Sequence, residues 1–223
     1  MITETHTIDP DLFNEPREPE LAELAITDPP EKWAALGFDV DERDNLDLGG
    51  VRLRLGKRNQ QNAQTGIVSW SLRRVNAMGS IDGLATPVPQ TLRPPPFKTH
   101  PNGATGLDHL VIITPDFDRS AAALKRAGLA LKRTQDIGRG RQGFRRIGPA
   151  ILELVAAPGS NGEADPFFWG IVAVVVNLDE LKQQLGDQLS DIRPAQQEGR
   201  RIATLRSAAG LGCALAFMTP EPR

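Results

Sequence analysis

The amino-acid sequence predicts an α+β fold built from a repeated unit of one strand, one helix and three further strands. Two observations carry this expectation. Apolar runs of strand length recur, each followed by a polar cap, a short helical pattern and a glycine. Short strand-like segments separated by glycine turns then follow each block. The chain has 223 residues, 39% of them hydrophobic and 24% charged. That is enough for one large domain, or two small ones, with a substantial core.

The first block opens with Leu21 to Thr27, continues through Asp28-Pro29-Pro30-Glu31 and a helix over Lys32 to Leu36, and stops at Gly37. Asp28 and Glu31 have capping-box spacing, and Pro29 suits a first helical turn. Strand candidates follow at Phe38 to Glu42, Asn45 to Leu48 and Val51 to Leu55. A further β-run, Gly66 to Val75, has no helix after it. Trp33 and Trp70 are expected to pack this N-terminal part.

The second block is Leu107 to Ile113, then Thr114-Pro115-Asp116, then a helix to Ala127 closed by Gly128. Its strands are expected at Leu129 to Asp136, Gly143 to Ile147 and Ala150 to Val155. The third is Ile171 to Val176, then Asn177-Leu178-Asp179-Glu180, then a helix to Leu185 closed by Gly186. Its strands are expected at Ser190 to Pro194, Arg200 to Leu205 and Cys213 to Met218. Asn177 with Glu180 repeats the capping-box spacing, and the closing glycines suit the left-handed position that ends a helix.

This organisation divides the chain into an N-terminal tail (1–20), a degenerate N-terminal copy (21–77), a proline-rich strap (78–104) and a paired-unit domain (105–220). Pro87, Pro89, Pro94, Pro95, Pro96 and Pro101 favour extended chain in the strap.

Composition excludes several functions. The formal net charge of -2 gives no overall field for nucleic acid. Arg139, Arg141, Arg145 and Arg146 are expected on the solvated face of a hairpin, without interleaved aromatics on which bases could stack. Cys213 is the only cysteine, so no intrachain disulfide forms, and its apolar run Cys213 to Phe217 marks a buried thiol. Residues 1–20 lack the basic and apolar regions of a signal peptide. The apolar run Ile171 to Val176 falls far short of the ~20 residues of a membrane span. A cytoplasmic protein with no membrane partner is the expectation. No glycine-rich phosphate loop, Ser/His/Asp order or zinc-type cysteine spacing appears.

The chemistry-bearing residues are two intrusions into apolar strands. His109 interrupts Leu107 to Ile113, and Glu153 interrupts Ile151 to Val155. Burying either group unpartnered costs several kcal/mol. The two are therefore expected to meet, either as a hydrogen-bonded core pair or at a ligand cleft. Gln142 and Arg145 lie around the hairpin, and Arg201 and Arg206 flank the strand Ile202 to Leu205. Arginine suits bidentate binding of a carboxylate or phosphate. Phe167, Phe168 and Trp169 precede the third block's first strand as core or cleft-wall aromatics.

The sequence Asp108-His109-Leu110-Val111-Ile112, with Thr114-Pro115-Asp116-Phe117-Asp118, the alanine-rich helix to Ala127-Gly128-Leu129, and Ile151-Leu152-Glu153-Leu154-Val155, resembles the vicinal oxygen chelate superfamily. That group includes glyoxalase, extradiol dioxygenases and fosfomycin- and bleomycin-resistance proteins. The resemblance covers Thr105 to Pro220 well, as two tandem units, and Leu21 to Val75 weakly. It implies a glyoxalase-like half-barrel whose concave face holds the site, with a degenerate N-terminal copy beside it. It is compatible with a homodimer. In metal-dependent members one ligand comes from the first strand of a unit and one from its last. His109 and Glu153 occupy those positions, 153 − 109 = 44 residues apart. Matching the third block to the second puts Val172 opposite His109 and Leu215 opposite Glu153, and neither side chain binds metal. A third ligand would have to come from Gln142, Glu23 or the strap residue His100, which is otherwise expected to be solvent-exposed.

Two functions follow from the resemblance. One is a divalent-metal-dependent isomerase, lyase or dioxygenase acting on a small oxygen-rich substrate, with His109 and Glu153 as ligands. The other is a metal-free protein that binds or sequesters a small molecule. Gln142, Arg145, Trp169, Arg201 and Arg206 are the expected ligand-contacting residues in both.

Overall fold

A computed structural model describes residues 18–56, 65–77, 79–91, 93–138, 140–157 and 163–222. Most of the expected N-terminal tail, and Arg139 of the hairpin cluster, lie outside them. The N-terminal part runs β1 (Glu20–Ile26), α1 (Pro30–Ala35), β2 (Asn45–Leu48), β3 (Val51–Arg54) and β4 (Ile67–Arg73). These strands form one sheet in the order β2-β3-β1-β4, with β1 parallel to β3 and antiparallel to β4. A small hairpin, β5 (Gly79–Ile81) and β6 (Leu84–Thr86), follows.

The C-terminal part runs β7 (Ala104–Thr114), α2 (Phe117–Arg126), β8 (Arg133–Ile137), β9 (Gly140–Ile147) and β10 (Ala150–Ala156). It continues through β11 (Phe167–Val175), α3 (Leu178–Leu185), β12 (Arg193–Pro194), β13 (Arg201–Thr204) and β14 (Ala214–Met218). All eight strands form one sheet, ordered β12-β13-β14-β11-β7-β10-β9-β8. β7 pairs in parallel with β10, and β11 with β14, while β7 and β11 meet antiparallel at the centre.

Local chemistry accounts for the helices. The Asp116 carboxylate accepts the N–H of Arg119, and the Asn177 side chain accepts that of Glu180, so both C-terminal helices start on side-chain caps. The first helix differs from expectation. Its N-cap is Pro29, with no side-chain cap, because Asp28 accepts the N–H of Gly212 at 2.7 Å instead. Phe38 to Glu42 forms no strand. Phe38 turns inward against Trp33, His100 and Phe217.

One face of the large sheet is the main core. Leu110, Ile112, Leu152, Leu154, Ile171, Leu215 and Phe217 are almost fully buried there, in one cluster with Leu124 of α2, Leu181 of α3 and both N-terminal tryptophans. Each such side chain contributes about 1.5–3 kcal/mol on burial. Trp33 and Trp70 do pack the N-terminal part, both fully buried.

Side-chain bonds tie the segment after β4 to the N-terminal sheet at several points. Thr86 Oγ accepts the buried indole N–H of Trp70 at 2.8 Å. The Glu23 carboxylate accepts both the N–H and the hydroxyl of Thr91, at 2.9 and 2.8 Å. His100, expected to be exposed, is buried: Nδ1 accepts the N–H of Asp39 at 3.0 Å, which leaves Nε2–H to donate to the Asp47 carbonyl at 3.0 Å. Both bonds require a neutral ring, and burial holds its pKa below the ordinary histidine value.

The two halves touch backbone to backbone where Gly66, at φ +84°, faces Gly212; a Cβ on Gly66 would lie 2.5 Å from the Gly212 carbonyl oxygen. Gly66→Ala should therefore cost roughly 1–3 kcal/mol or more in urea unfolding, from left-handed strain plus the clash. Gly79→Ala, at φ +86° with open space around it, should cost distinctly less. Equal unfolding midpoints for the two variants would mean that this close approach does not hold the seam.

Candidate functional site

Directly opposed residues in a ladder share a face of the sheet. His109 of β7 stands opposite Ile151 of β10 and Val172 of β11. Glu153 stands opposite Val111 and Phe144. His109 and Glu153 therefore project from the same face, the one away from the main core, on adjacent strands two positions apart. With neighbouring strands ~4.8 Å apart and ~3.3 Å of rise per residue, their Cα atoms are roughly 8 Å apart. Ile113, Phe144, Ile151, Glu153 and Val155 on this face are only half-buried, so part of it stays open.

A β-bulge adds a second polar residue. Val172 pairs with His109 but Ala173 pairs with Leu107, leaving Asp108 as an extra residue in β7. Consecutive strand residues normally point to opposite faces. Here the extra residue brings the Asp108 carboxylate to 2.6 Å from His109 Nδ1, close enough for an ion pair although the two atoms are not aligned as a hydrogen bond. Arg200 completes the group: its Nη2 donates to Asp108 Oδ1 at 2.7 Å and its Nε to the Thr219 carbonyl at 2.8 Å. Burial alone would raise the Asp108 carboxyl, but contacts from His109 and Arg200 outweigh it and hold it below the usual carboxylate range.

Glu153 behaves oppositely. Burial pushes its carboxyl above the ordinary value, and attraction to His109 offsets this only in part. Its Oε1 accepts an amide hydrogen of Gln142 at 2.9 Å, and Gln142 Oε1 accepts from Gln135 at 3.0 Å. The open face thus carries a polar line of Gln135, Gln142, Glu153, His109, Asp108 and Arg200 across four strands and a turn.

The register corrects the expected match between the units. Ile151 pairs with His109 and Ala216 pairs with Val172, so Glu153, two residues beyond Ile151, matches Met218 and not Leu215. Leu215 lies on the opposite face, in the main core. Val172 and Met218 pack with Ala216 in a small separate apolar cluster, flanked by Ala195 and Ile202. One unit presents histidine and glutamate where the other presents valine and methionine.

The remaining sequence candidates divide. Glu23 is bound to Thr91 and lies 3.7 Å from Arg54, and His100 is bound within the N-terminal part, so neither supplies a third donor. Arg145 is buried, against expectation, and pairs with Glu18 from the main-core face of β9. Arg201 is exposed and holds Asp179 of α3 through both terminal nitrogens, at 3.0 and 2.6 Å. Trp169 and Arg206 line a separate cavity of about 960 Å³ between the β13–β14 end and the N-terminal strands β4 and β6. Cys213 is buried, and desolvation pushes its thiol up to about 12, so it stays protonated and inert. Sequence reading missed Asp108 and Arg200. An Asp-His dipeptide inside an apolar strand was the available signal for the first, and nothing local marks the second.

The donors do not amount to a catalytic metal site. Such a site normally takes three protein ligands, and among the described residues no group of three histidine, cysteine or carboxylate side chains could hold an ion. His109 Nδ1 faces Asp108, Glu153 Oε1 is taken by Gln142, and the matching positions are apolar. No helix among the described residues is long and apolar enough to cross a membrane.

No family model matches the chain, and no curated protein matches it in sequence. Among solved structures, a variant of 4-hydroxymandelate synthase from Streptomyces coelicolor is similar over 92% of this chain and 93% of its own, at 13% identity and a TM-score of 0.62. Methylmalonyl-CoA epimerase from Mycobacterium tuberculosis is similar over 54% of this chain and 91% of its own, at 20% identity and a TM-score of 0.44. A Streptomyces coelicolor methylmalonyl-CoA epimerase variant gives 53%, 96%, 17% and 0.44 in the same terms. Of these three, the synthase comparison, which spans both halves, bears on the fold.

Two variants should separate the carboxylates. Glu153 is held above the ordinary 4.5, so its protonation favours the fold fully below 4.5 and that benefit is lost as pH rises through the raised value. Glu153→Gln should therefore melt higher than the parent at pH 8, with the gap closing by pH 4. Asp108 is held below 3.8, so its contribution is present above 3.8 and lost as pH falls through the lowered value. Asp108→Asn should cost about 3 kcal/mol at pH 7, because Arg200 is left buried without its counter-charge, and progressively less below pH 3.8. Thermal melts across pH 3–8 that show the two variants moving together would contradict this assignment.

Proposed function

We propose that this chain, which belongs by fold to the vicinal oxygen chelate superfamily, is a metal-independent small-molecule-binding protein. One observation carries the proposal: the positions that match His109 and Glu153 in the second unit are Val172 and Met218, packed together as an apolar cluster. Replacing ionisable groups with well-packed apolar ones removes a desolvation cost and a ligand pair in the same step. The polar pair that remains faces protein groups: Asp108, itself held by Arg200, lies beside His109, and Gln142 donates to Glu153.

In this account the C-terminal sheet is a glyoxalase-like half-barrel of two tandem units, and residues 21–77 are a degenerate copy that supports it. The competing function is a divalent-metal-dependent isomerase, lyase or dioxygenase acting on an oxygen-rich substrate. It has one point in its favour, that His109 and Glu153 share a partly open face on neighbouring strands.

Metal analysis decides between them. Purified protein should hold well under one equivalent of any divalent ion, and His109→Ala and Glu153→Ala should leave that content unchanged. One equivalent of metal that either variant abolishes would overturn the proposal. A gain-of-binding experiment tests the register itself. The double variant Val172→His, Met218→Glu offers two further donors beside His109 and Glu153, and should bind Zn²⁺ or Co²⁺ in calorimetry at least about 10-fold tighter than the parent.

A further inference from the structure

We propose that the cavity between β4, β6, the start of β11 and the β13–β14 end is the small-molecule site, and that its ligand is a planar aromatic anion. This rests on the reading of the chain as a small-molecule binder and names the place and the ligand class. The volume, about 960 Å³, falls in the ~300–1,000 Å³ range of ligand pockets.

Three features of the walls select the ligand. Phe167 and Trp169 line the cavity yet are 45% and 46% exposed, although Phe168 between them is buried against Trp70. Trp169 is the bulged residue of β11, because Phe168 pairs with Ile112 and Gly170 with Val111. Exposure alternates along this end of β11, so Phe167 and Trp169 leave aromatic area open to whatever enters. Flat aromatic ligands recover that apolar area by stacking.

Charge supplies the second selection. Arg206 lines the same cavity and makes no ion pair among the described residues; its Nε reaches the Leu189 carbonyl at 3.4 Å, which steadies the stem and leaves the terminal nitrogens for an acceptor. Its backbone N–H donates to the Gln188 carbonyl at 2.7 Å, so the base of the side chain is fixed. A guanidinium presented in this way matches a carboxylate. The acidic residue of the cavity, Asp165, packs over Gly83 of the β5–β6 turn, so the anionic end of the ligand belongs at Arg206. Leu84 and the neutral thiol of Cys213 complete apolar parts of the wall.

Calorimetric titration of the full chain with 2-naphthoate, against its neutral analogue 2-naphthylmethanol, tests this. The acid should bind saturably, about tenfold tighter than the alcohol, as one charge-assisted contact implies. Arg206→Gln should abolish that preference while Arg206→Lys restores part of it, and Trp169→Ala should weaken both probes. Trp33 and Trp70 are fully buried, so Trp169 dominates acrylamide quenching of the tryptophan emission, and 2-naphthoate should protect it. Absence of saturable binding, or affinity unchanged in Arg206→Gln and Trp169→Ala, would overturn the proposal. So would binding that is lost in His109→Ala but kept in Trp169→Ala, which puts the ligand on the open face of the sheet. None of these results bears on metal content, so stoichiometric metal in the same preparations overturns the metal-independent reading separately.

Discussion

The antiparallel ladder between β7 and β11 is the interaction on which the rest of the C-terminal structure depends. It joins two strand–helix–strand units through their first strands, so each unit's last strand flanks the pair, β10 beside β7 and β14 beside β11. Its register sets which side chains meet across the junction. A one-residue slip would send every strand side chain to the other face, burying His109 among the leucines and exposing Leu110. The core on one side and the polar line on the other are two results of one register.

The bulges in that ladder create the polar chemistry. Regular alternation would have placed Asp108 in the core, where an unpaired carboxylate costs several kcal/mol. The extra residue instead turns it toward His109 and Arg200. The carboxylate thereby pairs with Arg200, from the β12–β13 turn, and lies 2.6 Å from His109 Nδ1. Glu153 is placed by regular pairing alone, with a neutral amide as its partner. Two carboxylates near one imidazole thus depart from their ordinary values in opposite directions: burial prevails at Glu153, and the contacts with His109 and Arg200 outweigh it at Asp108.

Much of this was legible in the sequence. The second and third strand–cap–helix–glycine blocks, with their caps Asp116 and Asn177, the buried thiol and the placement of His109 and Glu153 on one face were readable from periodicity and residue type. What was not legible depends on long-range partners. Asp28 has capping-box spacing, but Gly212, 184 residues away, takes its carboxylate. His100 in a proline-rich stretch looks solvent-exposed until Asp39 and Asp47 are seen to hold both ring nitrogens. Matching the third block to the second by sequence put Leu215 opposite Glu153, three residues short of Met218. Only the hydrogen-bond register identifies Met218.

The N-terminal sheet shows what happens when such a junction does not stay open. β1 and β4 pair antiparallel, as β7 and β11 do, and β3 lies parallel beside β1 as β10 lies beside β7. On the face that carries Glu23, charged groups neutralise one another: Arg52 holds Asp47, Arg54 approaches Glu23, and Arg73 reaches both Glu20 and the Thr91 carbonyl. Thr91 then crosses this face and donates twice to Glu23. A face whose ionic groups are paired and whose remaining acceptors are met by its own chain has little free energy left to offer a ligand. Nor does the polar line of the C-terminal face, where most donors already have acceptors. The cavity wall around Trp169 and Arg206 retains unmatched aromatic area and a cation with no ion pair among the described residues, and recognition of a small molecule needs unmet demand of this kind.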